Sequence, residues 1–155
     1  LAVRNLPASS RIKVHQYGMA HTPEWADMAK AEMKINPRYR WHEEIAHYKV
    51  RQIYQRTNVL VLPSRMEGGA NVISEAVVAG VPVIASDIEG SIGLLGEDYP
   101  GYYPVEDGQA LSELLLKVES DKSFYRQLEQ ACIARQTMFT PESERDGWSK
   151  LLQKL

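Results

Sequence analysis

A single cysteine, Cys132, stands among 155 residues. It leaves no partner for an intrachain disulfide and no cysteine cluster for zinc, and it points to a reducing, cytoplasmic setting. No apolar run approaches the roughly 20 residues that a membrane helix needs, so no transmembrane segment is expected. Nothing has the charged-then-apolar pattern of a secretory signal. Neither charge sign dominates: 18 Lys and Arg against 20 Asp and Glu give a net charge of −2. Such a balance supplies no strong field for nucleic acid or an anionic membrane. Repeats and low-complexity segments are also missing. What remains is an ordinary globular composition, 44% hydrophobic and 25% charged, at a length that suits one domain with one sizeable core.

Strand and helix signals alternate along the chain. Ile12–Tyr17 is a short strand candidate closed by Gly18. Pro23–Lys34 carries helix formers, with Thr22 as N-cap and Pro23 at the first helical position, and Asn36-Pro37 stops it. Tyr39–Trp41 is a second strand. Tyr48–Arg56 sets Val50, Ile53 and Tyr54 at helical spacing. Asn58–Leu62 is a continuous apolar run ahead of Pro63, the pattern of a strand buried on both faces of a parallel sheet. Asn71–Ala79 is a helix with apolar residues almost all round, so burial is expected. Gly80 ends it as a left-handed cap, and Pro82–Ser86 is the next strand. Asp107–Val118, Ser123–Met138 and the segment begun by Thr140-Pro141-Glu142 read as helices. This alternation predicts an α/β fold with a Rossmann-like parallel sheet and helices on both faces.

In such sheets ligands bind beyond the carboxyl ends of the strands, which directs attention to the loop after Leu62. There Pro63-Ser64-Arg65-Met66-Glu67-Gly68-Gly69-Ala70 leads into Asn71-Val72-Ile73-Ser74-Glu75-Ala76. The first amides of a helix have no intrahelical partner, and with the helix dipole they form an anion site. Gly68 and Gly69 let a phosphate or sugar approach the backbone. Amides of Gly69, Ala70, Asn71, Val72 and Ile73 are the candidate donors. Glu67 and Glu75 bracket the site. Carboxylates are repelled by phosphate but accept well from vicinal hydroxyls, so a ribose on one side of a diphosphate and a hexose on the other would satisfy both. A glycine pair between strand and helix is also common in folds of this class without any ligand. For Glu75, the apolar neighbours Val72, Ile73, Ala76, Val77 and Val78 favour function, since an unpartnered buried carboxylate is costly.

The string from Pro63-Ser64 through Glu67, Glu75 and Ala76-Val77-Val78-Ala79-Gly80-Val81-Pro82-Val83-Ile84-Ala85 resembles retaining glycosyltransferases of the two-domain GT-B type, the large family-four group above all. The likeness runs from about Ile12 to about Leu115. It implies that the chain is the C-terminal, donor-binding half of such an enzyme, acting on a nucleoside-diphosphate sugar, with uridine favoured as the base. Glu67 would be the catalytic-site carboxylate contacting the donor sugar. The amides of Gly68, Gly69, Ala70, Asn71, Val72 and Ile73 would hold sugar and diphosphate, and Glu75 the ribose. Glu44 and Ile45, in the loop after Trp41, would border the nucleobase. No metal or other cofactor is implied, and attack from the leaving-group face would keep the anomeric configuration. A narrower likeness, in Asn36-Pro37-Arg38-Tyr39-Arg40-Trp41, Met66–Val72 and Leu95–Pro104, is to a bacterial subgroup that includes selenosugar synthases, which join selenophosphate to the sugar of a uridine-diphosphate donor.

The sequence departs from the family in one respect. The arginine–lysine pair that usually contacts the diphosphate cannot be placed, and its position would precede Leu1. Residues 1–155 are therefore expected to be a single nucleotide-sugar-binding domain, a fragment lacking its N-terminal acceptor domain and inactive alone. Competing readings are a sugar-nucleotide epimerase or phosphorylase on the same fold, and a non-catalytic Rossmann-like binding domain. Elsewhere, His42, Glu43, Glu44 and His47 do not read as a metal site, because histidines five apart do not share a helix face. His15 reads as structural. Asp87 and Glu89 could line the cleft, with Gly90 and Gly93 lending mobility. Tyr99, Tyr102 and Tyr103 could stack on a base or pack on the sheet edge. Cys132 reads as core, and Trp148, Leu151 and Leu152 as an apolar stripe open to self-association.

Overall fold

The computed structural model describes residues 2–153, so Leu1 at the start of the lead-in segment lies outside the described residues. The described residues form five short strands and seven α-helices, alternating up to α5: β1 Val14–Gln16, α1 Pro23–Ile35, β2 Tyr39–Trp41, α2 His47–Tyr54, β3 Leu60–Leu62, α3 Asn71–Val78, β4 Val83–Ser86, α4 Glu89–Leu95, β5 Tyr102–Tyr103, α5 Gly108–Ser120, α6 Lys122–Arg135 and α7 Pro141–Leu152. A 3-10 turn, Ala2–Asn5, precedes β1, and another, Gln136–Phe139, links α6 to α7.

All pairing among these strands is parallel, but it falls into two ladders, β1 with β2 and β3-β4-β5, rather than one continuous sheet. β4 is central and every residue of it is buried. Its side chains alternate between two cores, as a period of two requires. Val83 and Ala85 join Ile73, Ala76, Val77, Leu95, Phe124, Leu128 and Cys132 from α3, α4 and α6. Ile84 joins Val3, Leu6, Tyr103 and Leu115 on the opposite face, where α5 and the first 3-10 turn pack. Helices thus cover both faces. Val14 of β1 and Val61 of β3 pack against the second core together, so side chains link the two ladders.

Four helix starts follow their local chemistry. Thr22 caps α1, Asp107 caps α5, Asp121 caps α6 and Thr140 caps α7, each side chain accepting backbone amide protons. α3 ends as its sequence dictates. Gly80 has φ +75, its N–H donates to Val77 and that of Val81 donates to Ala76, a Schellman closure. The chain must turn at once here, because Leu60 N–H already waits on the Pro82 carbonyl at 2.8 Å to register β4 on β3.

Three sequence readings change, and a fourth, left open between two alternatives, is decided. β3 is half-buried along its length, since it pairs with β4 on one side alone. α3 is buried at Ile73, Ala76 and Val77, while Val72 and Val78 face solvent. Glu89–Leu95 is a helix containing Gly90 and Gly93, not a mobile link. The three tyrosines pack rather than offer faces to a ligand: Tyr99 and Tyr103 are buried, and Tyr102 and Tyr103 form β5. β5 is only two residues long, and the Tyr99 hydroxyl serves where a longer strand would. It donates to the Val83 carbonyl at 2.6 Å and accepts from the Val83 N–H at 3.1 Å. Gly101 makes room for this, because a Cβ there would meet the Val83 oxygen at 2.5 Å. Cys132 is buried beside the same hydroxyl, 3.4 Å away.

Candidate functional site

The loop from Pro63 to Ala70 lies between the carboxyl end of β3 and the start of α3. Ser86 donates to the Leu62 carbonyl at 3.3 Å, tying the ends of β3 and β4 together beneath it. α3 starts without a side-chain cap, because the N-cap residue is Ala70. A Ser, Thr, Asp or Asn there would satisfy one of the first amides; alanine leaves them to another acceptor. Ile73 N–H donates to the Ala70 carbonyl at 2.9 Å and the Ile73 side chain is fully buried. The amides of Asn71 and Val72 precede that first bond and are the most available donors. Gly69 has φ +135, a conformation that L side chains rarely adopt, and no atom lies within 4 Å of a Cβ built at Gly68 or Gly69. The approach to the helix start is therefore open backbone.

The two glutamates sit on either side of this junction. Glu67 is exposed, and the Ser64 hydroxyl donates to its Oε1 at 2.9 Å. Glu75 is on the second turn of α3 with its side chain 35% exposed. The burial argument for Glu75 therefore falls: with Val72 and Val78 outward, α3 has a solvent side and the carboxylate reaches it. What singles out Glu75 is its company. His47 Nε2, at the start of α2, is 3.4 Å from Glu75 Oε1. Tyr54, at the end of α2, donates to the Val72 carbonyl at 3.1 Å. Burial, with the Glu75 charge adding to it, pushes the Tyr54 hydroxyl up to about 12, so it stays a proton donor at neutral pH.

The loop after β2 leads into α2 and carries Glu44, exposed, and Ile45, half-buried. No hydrogen bond or ion pair joins either to the α3 junction among the described residues; the polar link runs through His47, two residues beyond Ile45. This loop is bonded to the one after β1: Gly18 N–H donates to Glu43 at 2.8 Å and Trp41 Nε1 to Gly18 at 2.9 Å. The His42 ring lies nearly parallel to those of Tyr17 and His15, with ring centroids 4.6 and 5.1 Å away. Its Nε2 is 2.8 Å from His15 Nδ1. Burial first, then the nearby His15 and Arg40 charges, hold His42 below its ordinary pKa. Among the described residues no group of three or more His, Cys, Asp or Glu is placed to hold a metal.

Sequence reasoning missed several of these partners. Ser64 carries a signal after the fact, a hydroxyl three positions before a glutamate in one loop. His47 and Tyr54 carry none, because α2 meets α3 only through the fold. Arg65 pairs with Glu106, joining the loop after β3 to the loop after β5. Asp87 is exposed at the end of β4 and Glu89 opens α4, and no polar contact joins either to the glutamate pair.

Comparison with known proteins identifies the fold and the family. TuaC of Bacillus subtilis strain 168, which carries the name of a teichuronic acid biosynthesis glycosyltransferase, is 30% identical over 79 residues, 51% of this chain and 20% of TuaC. The fold resembles sucrose-phosphate synthase of Thermosynechococcus elongatus, with a TM-score of 0.75 and 23% identity over 92% of this chain and 38% of that one. It also resembles Anabaena HepE, solved with UDP-glucose, with a TM-score of 0.80 and 16% identity over 99% of this chain and 43% of HepE. The fold is accordingly the α/β, Rossmann-like domain of GT-B proteins, and the chain spans a fifth of the curated relative and less than half of each solved one. Residues 2–135 match the family described as Glycosyl transferases group 1, and the chain belongs to that family.

Proposed function

We propose that this chain is the donor-binding half of a retaining glycosyltransferase that takes its sugar from a uridine-diphosphate sugar. One observation carries the reading: Glu67 and Glu75 flank an uncapped helix start whose approach is bare glycine backbone. The amides of Asn71 and Val72, with Gly68, Gly69 and Ala70 beside them, receive the diphosphate, and the positive end of the α3 dipole offsets its charge. Glu75 accepts from the ribose hydroxyls, with His47 and Tyr54 closing its far side. Glu67, aimed by Ser64, accepts from hydroxyls of the sugar. Glu44 and Ile45 border the base. No metal takes part in this reading, because the helix start supplies the positive potential that the leaving diphosphate needs. HepE, of the same fold, was solved with UDP-glucose, which supports a uridine donor. The acceptor and the remaining diphosphate ligands belong to an N-terminal domain outside these residues. The narrower assignment, a selenosugar synthase-like acceptor preference, rests on sequence resemblance alone.

The test is a calorimetric titration, in EDTA, of UDP, GDP and ADP into the protein and its Glu75→Gln variant. Losing charge-assisted bonds to ribose costs about 1.5–3 kcal/mol, roughly 10- to 150-fold in affinity. UDP selectivity that collapses in the variant supports the reading. UDP binding that is indifferent to Glu75 would remove its central assignment.

A further inference from the structure

Gly90 and Glu67 lie far apart in the chain and meet as backbone against backbone. A Cβ at position 90 would stand 2.1 Å from the Glu67 carbonyl oxygen, 2.8 Å from its carbonyl carbon and 3.2 Å from its Cβ. Gly93, one turn further along the same helix, has no atom within 4 Å of where its Cβ would be. The two glycines of α4 thus have different reasons to be glycine. At Gly93 a side chain would enter open space. At Gly90 it would enter the peptide that carries the sugar-binding carboxylate.

What holds each partner decides which would move. α4 is anchored. Ser91 and Leu95 are buried on its inner side. The Tyr102 hydroxyl lies 3.2 Å from the Ser91 carbonyl oxygen and 2.9 Å from that of Gly96, gripping both ends of the helix. Ile88, just ahead of it, donates to Ser86 at the end of the buried strand β4. The other partner is a surface loop, exposed from Arg65 to Gly69. Its side-chain ties are the Ser64–Glu67 hydrogen bond and the exposed Arg65–Glu106 ion pair, and pairs of that kind restrain little. A clash at position 90 would be relieved by the loop.

We propose that Gly90 is a positioning residue for Glu67: its bare Cα seats the Glu67 peptide against anchored α4, while Ser64 aims the carboxylate. The inference rests on the reading of Glu67 as a donor-sugar ligand. Cβ atoms essentially never come closer than 3.0 Å to such neighbours, so an alanine at 90 must move the Glu67 peptide by about 1 Å. A carboxylate–hydroxyl bond near 2.7 Å would then open beyond hydrogen-bonding range. A misplacement of about 1 Å reduces turnover on the order of 100-fold. Affinity for the nucleotide should hold, since the three atoms nearest a Cβ at position 90 all belong to Glu67 and none to α3.

The experiment uses the complete transferase and follows UDP release from UDP-glucose, UDP-galactose and UDP-N-acetylglucosamine, with UDP affinity measured alongside. The variants are Gly90→Ala, Gly93→Ala and Glu67→Gln. Alanine in a helix interior ordinarily stabilises relative to glycine, so Gly93→Ala should match the parent. Gly90→Ala should lose about 100-fold in kcat with UDP affinity within threefold of the parent. Turnover by Gly90→Ala within threefold of the parent, while Glu67→Gln is inactive, overturns the inference and leaves the donor reading standing. Full activity of Glu67→Gln, or no UDP release by the parent from any donor, overturns the donor reading and the inference with it. If Gly90→Ala does not fold, Ser64 decides: kcat lost in Ser64→Ala and restored in Ser64→Thr sustains the positioning of Glu67, and no loss in Ser64→Ala refutes it.

Discussion

Replacing Tyr99 by phenylalanine removes one oxygen atom, and the structure sets what that atom is worth. The hydroxyl is buried and serves both polar groups of Val83, donating to its carbonyl at 2.6 Å and accepting from its N–H at 3.1 Å. β5 begins at Tyr102, opposite Ala85, so no strand residue stands across from Val83 on that side. Val83 is fully buried and water has no ready route to replace the lost partner. Each buried group left unsatisfied costs about 1–3 kcal/mol. Two such groups, partly relaxed, put Tyr99→Phe at about 2–4 kcal/mol, a large share of a domain stability of about 5–15 kcal/mol. Hydrophobic area is nearly unchanged, so the loss belongs to hydrogen bonding rather than to a cavity. The assay is equilibrium urea unfolding, in which the midpoint falls while the slope m stays constant. A destabilisation below about 0.5 kcal/mol would refute the argument that Tyr99 substitutes for a missing strand residue.

Two further outcomes are expected. Glu32 is buried and receives the Arg4 guanidinium at 3.1 and 3.0 Å and the Asn36 amide at 2.8 Å. Hydrogen bonding from Arg4 holds the Glu32 carboxyl below its ordinary range against the opposing effect of burial. The unfolded chain therefore takes up this proton first, so the contribution is fully present above the usual glutamate pKa of about 4.3 and is lost as pH falls from there through the lower folded-state value. Melting temperature should drop as pH falls below about 5, and Glu32→Gln should flatten that drop; an unchanged slope would exclude this pair as its source. Trp148, Leu151 and Leu152 on α7 are 59%, 52% and 65% exposed, an apolar stripe on one helix. The isolated chain should associate with rising concentration in sedimentation, and Trp148→Ser with Leu151→Ser should restore the monomer; a parent that stays monomeric throughout would count against the stripe as a contact surface.

Local chemistry alone determined much of this protein. Thr22-Pro23, Asp107 and Thr140-Pro141 each start a helix because a side-chain oxygen beside free amides is a property of adjacent residues. Gly80 ends α3 because a positive φ favours glycine whatever the surroundings. The spacing of Glu67 and Glu75 around a glycine pair is likewise local, which is why the family was legible. Tertiary structure decided the rest, because the causes lie far apart in sequence. β5 and α4 escaped notice: two tyrosines make too short a strand to show alternation, and glycines at 90 and 93 obscure a seven-residue helix. α3 looked buried all round, yet only packing against β4 and α6 could say which side is covered. That side is Ile73, Ala76 and Val77, and it leaves Glu75 facing outward beside His47. Gly90 carries the same lesson: its need for a bare Cα comes from the Glu67 carbonyl, 23 residues away in the chain, and only the fold brings the two together.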